Sequence, residues 1–187
     1  MAKPRVLVPL GTGFEELEAI AAVDVLRRAG CQVITASVGA TNPIVGRNRI
    51  RVLADLDLSD ALTEWGDDWD LVLIAGGLGG VEAITANTEL MALVRGRIKG
   101  ERAVAAICAG PRALRDAGLP LDTAITGHPG CADDLKEFTD YRTDAVVRAG
   151  SVITSRGAGT AVQFSLACVA LLCGDAVADR VRAEIVA

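Results

Sequence analysis

The segment Ala103-Val104-Ala105-Ala106-Ile107-Cys108-Ala109-Gly110-Pro111 carries the strongest indication of the fold. Its first five residues form a short, fully apolar run, which predicts a strand buried on both faces. Gly110 and Pro111 then predict a tight turn that opens a helix, because proline is well tolerated at the first helical position. A buried strand leading directly into a helix is the repeating unit of an α/β protein.

Similar strand and helix signals alternate along the rest of the chain. We predict strands at residues 5–10, 31–36, 71–74, 103–107, 123–126, 144–147 and 151–154, helices at 14–29, 88–97, 159–172 and 176–186, and an excursion or hairpin at 43–55. This alternation requires parallel crossovers, so we predict a doubly wound, mostly parallel sheet with helices on both faces. We find no repeat or linker and predict a single domain over residues 1–187.

The composition narrows the possible functions. The 187 residues are 51% hydrophobic and only 3% aromatic, and 19 basic against 24 acidic residues leave a net charge of −5. Such a chain shows no basic surface for nucleic acid or an anionic membrane. Its longest apolar stretch, 161–173, falls short of the roughly 20 residues that span a bilayer. The chain begins without a signal-peptide pattern, so we expect a cytoplasmic protein.

The cysteines give no sign of a disulfide framework or a metal site. There are five of them and no CxxC pair: Cys31, Cys108, Cys131, Cys168 and Cys173. An odd number without paired spacing disfavours both arrangements. We expect no metal and no cofactor. Apart from Cys108, these residues are expected to serve packing, with Cys131, in a loop, the most exposed.

An early glycine-rich turn resembles a nucleotide site but lacks its key residue. In Gly11-Thr12-Gly13, the place of the third glycine of a dinucleotide-binding turn is taken by Glu16. Glu15, Glu16 and Glu18 would also crowd the helix N-terminus where a pyrophosphate binds. A nucleotide site is therefore disfavoured. Glu15 and Glu16 are expected in or near solvent, where each stabilises the helix dipole by about 0.3–1 kcal/mol.

Cys108 occupies the position of a nucleophile. It directly follows a buried strand and precedes a helix, so its side chain is expected at the carboxyl edge of the sheet in a sharp turn, as in a nucleophile elbow. The positive end of the following helix would lower the pKa of the thiol from about 8.5. A small, buried, unreactive cysteine fits the same position equally well.

Two further features fall at the same edge of the sheet. Gly76-Gly77 closes the strand 71–74, and its backbone amides either bind an oxyanion or simply form a tight turn. His128 is the only histidine and follows the strand 123–126. A single histidine is more often structural than catalytic, so its role stays open on this ground alone.

Taken together, these segments resemble the ThiJ/PfpI superfamily, specifically its parkinsonism-associated protein deglycase (DJ-one-like) branch. The resemblance covers essentially the whole chain. The segments that carry it are Arg5-Val6-Leu7-Val8, Gly13-Phe14-Glu15-Glu16-Leu17-Glu18, Val23-Asp24-Val25-Leu26-Arg27-Arg28-Ala29-Gly30, Ala75-Gly76-Gly77, Ala105-Ala106-Ile107-Cys108-Ala109-Gly110-Pro111 and Thr154-Ser155-Arg156-Gly157-Ala158-Gly159-Thr160. Each segment is weak alone, and their occurrence in this order is specific.

The resemblance implies a flavodoxin-like fold, a homodimer and a set of catalytic residues. The reactive cysteine of the branch matches Cys108, and its buried, protonated glutamic acid matches Glu18, which would donate a hydrogen bond to the thiolate. The family histidine matches His128. The backbone amides of Gly77 and Ala109 match the oxyanion site.

Of two arginine positions in the family, this chain matches one and departs from the other. Arg28 matches an arginine that reaches toward the partner's site. Another family arginine near the pocket falls on Asn48, although Arg47 and Arg49 flank that position. Protease-like relatives place a histidine directly after the nucleophile, where this chain has Ala109. Glutamine amidotransferases need a late His-x-Glu pair, which this chain lacks.

The resemblance implies an enzyme that acts on 2-oxoaldehydes such as methylglyoxal, or on glycated proteins at the stage of their early adducts. Cys108 would be the nucleophile. A different class of function depends on the same residue, namely a redox sensor in which oxidation of Cys108 signals or recruits partners. A chaperone without covalent chemistry is a third possibility, with little support from the low aromatic content.

Overall fold

The protein is described by a computed structural model that covers residues 3–39 and 42–187. Its strands are β1 (Arg5–Gly11), β2 (Gln32–Val38), β3 (Ile44–Val45), β4 (Arg51–Val52), β5 (Leu56–Asp57), β6 (Leu71–Ile74), β7 (Val104–Ile107), β8 (Ala124–Ile125), β9 (Asp140–Tyr141), β10 (Val146–Ala149) and β11 (Val152–Ser155). Its α-helices are α1 (Glu16–Arg28), α2 (Leu58–Trp65), α3 (Leu78–Ala86), α4 (Thr88–Lys99), α5 (Pro111–Asp116), α6 (Ala132–Lys136), α7 (Ala161–Cys173) and α8 (Asp175–Glu184).

Seven strands form one central sheet in the order β10-β11-β7-β6-β1-β2-β5. All neighbours are parallel except β10 and β11, which form an antiparallel hairpin at one edge. This confirms the prediction of a mostly parallel, doubly wound, flavodoxin-like α/β fold. Because the inner strands are parallel, the loops after β1, β6 and β7 meet at one edge of the sheet.

The buried strands divide their side chains between two separate cores. In β6, Leu71 and Leu73 pack on one face, while Val72 and Ile74 pack on the other. The strand β7 repeats this alternation with valine, alanine and isoleucine. Helices α1 and α7 cover the first face. The period of two explains why these strands read as continuous apolar runs in the sequence.

A buried arginine holds the amino ends of the central strands together. Arg97, on α4, is only 1% exposed and donates hydrogen bonds to the carbonyl oxygens of Trp69 at 2.7 Å, Asp70 at 3.1 Å and Ala103 at 2.9 Å. These acceptors lie just before β6 and β7. Burial lowers the pKa of Arg97 to about 10, which still leaves it charged at neutral pH.

The smaller elements agree with the predictions in one place and differ from them in others. The segment 123–126 does contain a strand, but β8 pairs with β9 in a separate two-stranded sheet. The excursion at 43–55 forms the β3–β4 hairpin. Helix α3 was not predicted, because Gly79 and Gly80 disfavour a helix. A Cβ atom at Gly80 would lie 2.7 Å from the Cα atom of Phe14, so close packing against the loop after β1 excludes a side chain there.

The cysteine exposures also differ from the prediction. Cys131 is buried, and Cys173, half-buried at the end of α7, is the most accessible of the five. The short α6 helix, which the sequence did not reveal, follows Cys131 directly. All five cysteines are free. Within residues 3–39 and 42–187, every helix is too short or too polar to cross a bilayer.

Candidate active site

Cys108 lies in a strained turn between β7 and α5. Its backbone has φ of 64°, a left-handed conformation that is uncommon for a residue other than glycine. The Cys108 N–H donates to the carbonyl oxygen of Ser155 at 2.9 Å, and its own carbonyl oxygen accepts from the N–H of His128 at 2.8 Å. The turn is therefore held from both sides, by the end of β11 and by the segment that carries the histidine.

Glu18 is brought to the thiol by helix α1. Its side chain is fully buried, and its Oε2 atom accepts a hydrogen bond from the N–H of Gly76 at 2.7 Å. A Cβ atom at Gly76 would lie 2.6 Å from Glu18 Oε2 and 3.0 Å from Cys108 Sγ. Only glycine at this position lets the carboxyl group and the thiol face each other. The structure thus brings together two of the residues that the sequence singled out.

The carboxyl group and the thiol cannot both ionise easily. Burial raises the pKa of Glu18 to about 7, against the opposing effect of the Gly76 N–H. Burial, together with the negative charge of an ionised Glu18, raises the pKa of Cys108 to about 12. Two neighbouring groups that repel each other when both are ionised titrate as one coupled unit. A Cys108 thiolate is therefore favoured only while Glu18 holds a proton.

This result corrects the expectation that the following helix lowers the pKa of Cys108. Helix α5 has only six residues, and burial of the thiol is the largest influence on its pKa. The groups that do favour the thiolate are the backbone amides of Ala109 and Gly77, which donate toward the sulfur. These are the two amides predicted for oxyanion binding, and they lie at the nucleophile as expected.

The two oxygen atoms of the Glu18 carboxyl group have different surroundings. Among residues 3–39 and 42–187, Glu18 Oε1 is buried and has no hydrogen-bond partner. A buried carboxylate oxygen without a donor is unfavourable, whereas a protonated carboxyl group needs fewer donors. The contacts of Glu18 therefore agree with the raised pKa and with the predicted protonated state.

His128 lies at the mouth of the site and is exposed. Its Nδ1 atom accepts a hydrogen bond from the N–H of Gly130 at 3.0 Å. In the neutral ring the proton is then on Nε2, so this histidine donates rather than accepts from that side. A Cβ atom at Gly157 would be 3.6 Å from His128 Cδ2 and 3.9 Å from Cys108 Sγ, which places the ring across Gly157 from the thiol.

These groups surround a cavity of about 260 Å³. It is lined by Arg47, Gly77, Leu78, Cys108, Ala109, His128, Gly130 and Cys131. This volume is below the range of about 300–1,000 Å³ that is usual for drug-sized ligands, so the cavity suits a small molecule. A larger cavity of about 370 Å³, lined in part by Leu119 and Ser151, contains neither cysteine nor histidine.

Sequence reasoning missed Arg47. Arg47 lines the cavity, and its Nε atom lies 3.4 Å from Glu15 Oε2, whereas the Asn48 side chain donates to Glu16 Oε2 at 2.9 Å. The signal was the set of adjacent basic residues Arg47 and Arg49 around the substituted position. Which of them points inward depends on the register of the turn, and the sequence does not specify that register.

The expectation for Glu15 and Glu16 is wrong. Both are buried, at 8% and 4% exposure, and neither acts as a solvent-exposed partner of the helix dipole. Glu16 accepts hydrogen bonds from the N–H groups of Asn48 at 2.8 Å and Ile50 at 3.2 Å. Burial would raise the pKa of Glu16, but hydrogen bonds from its own backbone, from the side chain and backbone of Asn48 and from the backbone of Ile50 lower it overall. Glu16 therefore anchors the β3–β4 hairpin, and with it Arg47, to helix α1.

Glu18, which is fully buried, does not line the cavity, and neither does Arg28. Arg28 lies at the end of α1, where its guanidinium contacts Asp24 at 3.0 Å and Glu184 at 2.7 Å. As for metals, the described part of the chain holds no cluster of three or more histidine, cysteine, aspartate or glutamate side chains that would bind an ion.

The chain is similar in sequence and in structure to known proteins. The sequence signature of the DJ-1/PfpI family matches residues 4–171. The chain belongs to this family. The Parkinson disease protein 7 homolog of Danio rerio is 35% identical over 188 residues, covering 100% of this chain and 98% of that protein. The crystal structure of Drosophila melanogaster DJ-1beta superimposes with a TM-score of 0.93 at 33% identity, covering 99% of this chain and 98% of the other.

One relative within the DJ-1/PfpI family bears the name of an activity. It is a Caenorhabditis elegans protein described as glutathione-independent glyoxalase DJR-1.2. It is 34% identical over 161 residues, which cover 86% of this chain and 83% of the relative. This confirms the family resemblance that Cys108, Glu18 and the surrounding segments indicated.

Proposed function

We propose that this protein is a cofactor-independent cysteine enzyme that converts 2-oxoaldehydes such as methylglyoxal to 2-hydroxy acids, or removes them from their early adducts with proteins. The observation that carries the proposal is that the Cys108 thiol and the buried Glu18 carboxyl group both face Gly76, at 3.0 Å and 2.6 Å from where a Cβ atom of that residue would lie. A nucleophile beside an acid whose pKa is about 7 is suited to proton transfer at neutral pH. The glyoxalase name of the nematode relative supports the same chemistry.

The reaction begins when the Glu18 carboxylate takes the proton of the Cys108 thiol, which gives the thiolate and a neutral carboxyl group. Cys108 Sγ attacks the aldehyde carbon of the substrate, a C–S bond forms, and the carbonyl electron pair moves to oxygen. The amides of Gly77 and Ala109 stabilise that oxyanion. Glu18 then gives it a proton, which produces a neutral hemithioacetal and leaves Glu18 as a carboxylate.

The Glu18 carboxylate then moves a proton between the two substrate carbons. It removes the proton from the former aldehyde carbon, which gives an enediolate, and returns that proton to the neighbouring carbon, while the hydroxyl proton on the first carbon passes to the oxygen on the second. The first carbon is thereby oxidised to a thioester and the second is reduced to an alcohol, so no external oxidant is needed. Water hydrolyses the thioester, releasing the hydroxy acid and the Cys108 thiol.

The remaining cavity residues fit supporting roles. Neutral His128 donates from Nε2, so we assign it the ketone oxygen of the substrate rather than the role of base. Arg47 places a positive charge at the cavity, where it would attract the carboxylate that forms. The small volume of the cavity favours a short substrate such as methylglyoxal or a single glycated side chain at the protein surface.

Turnover of methylglyoxal to lactate by the purified protein in metal-free buffer tests this proposal. Cys108→Ser is expected to abolish turnover, and Glu18→Gln is expected to lower kcat at least about 100-fold, the lower end of general acid–base effects. Cys173→Ser, which changes a thiol far from the cavity, is the matched control and is expected to retain full activity. Wild-type turnover in Glu18→Gln would remove Glu18 from the mechanism, and turnover in Cys108→Ser would remove the covalent step.

A second function is favoured by the same cavity. The thiol lies beside two backbone amides that could bind the oxygen atoms of a sulfenic or sulfinic acid, so Cys108 could act as a sensor of peroxide. An enzyme converts many substrate molecules per Cys108, whereas a sensor is oxidised by one equivalent of peroxide per Cys108. Peptide mapping that shows Cys108 oxidised by equimolar peroxide, in a protein without methylglyoxal turnover, would favour the sensor over the enzyme.

We propose further that residues 1–187 form one domain that assembles as a homodimer in the cytoplasm. Five free cysteines suit a reducing compartment. Helix α1, which ends at Arg28, exposes Leu17 and Ile20, at 58% and 42%, which supports an interface on this helix. Sedimentation of a stable monomer at micromolar concentration would contradict the dimer.

A further inference from the structure

A second pair of reactive groups lies at the edge of the sheet opposite the cavity. The Sγ atoms of Cys31 and Cys173 are 3.7 Å apart, although 142 positions separate the two residues in the chain. Cys31 immediately precedes β2, and Cys173 is the last residue of α7. Because β2 begins at the amino edge of the parallel sheet, this pair is remote from Cys108 at the carboxyl edge.

The surroundings of the two sulfur atoms permit a bond between them. An S–S bond is about 2.05 Å long, so the sulfur atoms need to approach each other by about 1.7 Å. Gly30 precedes Cys31 and Gly174 follows Cys173, and no other group lies within 4 Å of where a Cβ atom on either glycine would be. Both backbones therefore have room to adjust.

We propose that Cys31 and Cys173 form a redox-responsive pair that closes to an intramolecular disulfide when the protein is exposed to hydrogen peroxide. One thiol loses its proton and attacks a peroxide oxygen; the O–O bond breaks, the leaving hydroxide takes that proton, and the products are a sulfenic acid and water. The second thiol loses its proton and attacks that sulfur; the S–O bond breaks, and the leaving hydroxide takes the proton and departs as a second water. Two thiols are oxidised and one peroxide is reduced to two waters.

Accessibility decides the order of these steps. Cys173 is half-buried, whereas Cys31 is only 6% exposed. Burial, together with a negative charge on Cys173, raises the pKa of Cys31 to about 12. Cys173 therefore reacts first with peroxide, and Cys31 is the thiol that resolves the sulfenic acid. Cys168 is fully buried nearby and is the competing partner.

The disulfide would fasten the C-terminal helices to the first helix. Helix α7 continues through Gly174 into α8, and Glu184 on α8 already contacts Arg28 at 2.7 Å, three residues before Cys31. The new bond would close a loop of 142 positions and restrict the unfolded chain. For a chain of this size we expect Tm to rise by roughly 5–15 °C.

Peptide mapping identifies the bond directly. The protein is treated with stoichiometric hydrogen peroxide, free thiols are alkylated, and trypsin is added without reductant. The expected product joins peptides 29–47 and 157–180, and fragmentation assigns the link to Cys173 rather than Cys168. Alkylation of both Cys31 and Cys173 after oxidation, a link through Cys168, or a bond between two chains on a non-reducing gel would overturn the proposal.

Thermal unfolding separates this pair from the cavity. In a Cys108→Ser background, oxidation is still expected to raise Tm, because the pair does not depend on Cys108 or on the proposed enzymatic function. Adding Cys173→Ser or, independently, Cys31→Ala should abolish that rise, whereas adding Cys131→Ser should preserve it. A rise in Tm that survives loss of Cys31 and of Cys173 would refute the assignment.

Discussion

Replacing Glu18 with glutamine is expected to stabilise the folded protein more at pH 8 than at pH 5.5. Glutamine keeps the shape of the side chain and can still accept from the Gly76 N–H at Oε1. It removes the only ionisable proton of the side chain. The comparison of stability at two pH values therefore isolates the energetic consequence of burying a carboxyl group at the site.

The direction and size follow from the raised pKa. In the folded protein burial raises the pKa of Glu18 from 4.5 to about 7. A raised pKa means that the folded state binds the proton more tightly, so this group's contribution is fully present below pH 4.5 and is lost as the pH rises through 7. Relative to low pH, linkage lowers the contribution of Glu18 to the free energy of unfolding by about 1.4 kcal/mol at pH 5.5 and by about 3.3 kcal/mol at pH 8. The wild type thus loses about 2 kcal/mol between these pH values that the variant does not lose.

Urea unfolding at pH 5.5 and pH 8 measures this difference. Protein concentration is held constant, because a dimer would make stability concentration-dependent. Glu82→Gln, an exposed carboxyl on α3, is the control and is expected to show no such pH dependence. If the stability gap between Glu18→Gln and the wild type is the same at both pH values, Glu18 is not the protonated acid of the site.

Three further predictions follow from contacts already described. Gly76→Ala should abolish turnover, measured with methylglyoxal, because its Cβ would meet both Cys108 Cβ and Glu18 Oε2 at 2.6 Å. Arg97→Met should lower the free energy of unfolding by about 3 kcal/mol in urea titrations, since buried carbonyl oxygens at the amino ends of β6 and β7 lose their donors. Glu16→Gln should lower the free energy of unfolding by about 1–3 kcal/mol in the same assay, because Asn48 donates to both carboxylate oxygens and an amide group has only one acceptor atom. Unchanged stability would show that other contacts hold the hairpin.

The central sheet was predictable because its inner strands are covered on both faces. The β6 strand matches the predicted residues 71–74, and β7 differs from its prediction by a single residue. Such runs contain no polar position and leave one interpretation. The two-residue strand β8 gave no comparable signal, since its pairing with β9 depends on where 140–141 lies in three dimensions.

At the site, residue identity was more predictable than environment. Cys108 and Glu18 could be named from the sequence and are brought together, but the depth of burial around them could not. Burial reverses the expected direction of the thiol pKa and places Glu15 and Glu16 in the interior. Exposure depends on neighbouring elements such as the β3–β4 hairpin, and no local pattern reports it.

The left-handed backbone of Cys108 sets stability and activity against each other at one residue. Holding a side-chain-bearing residue in this conformation costs roughly 1–2 kcal/mol, a cost that glycine escapes. A mutant library selected only for heat resistance would therefore enrich glycine at position 108, while one selected for detoxification would keep the thiol. Sequencing both pools at this codon would show which of the two pressures a population had experienced.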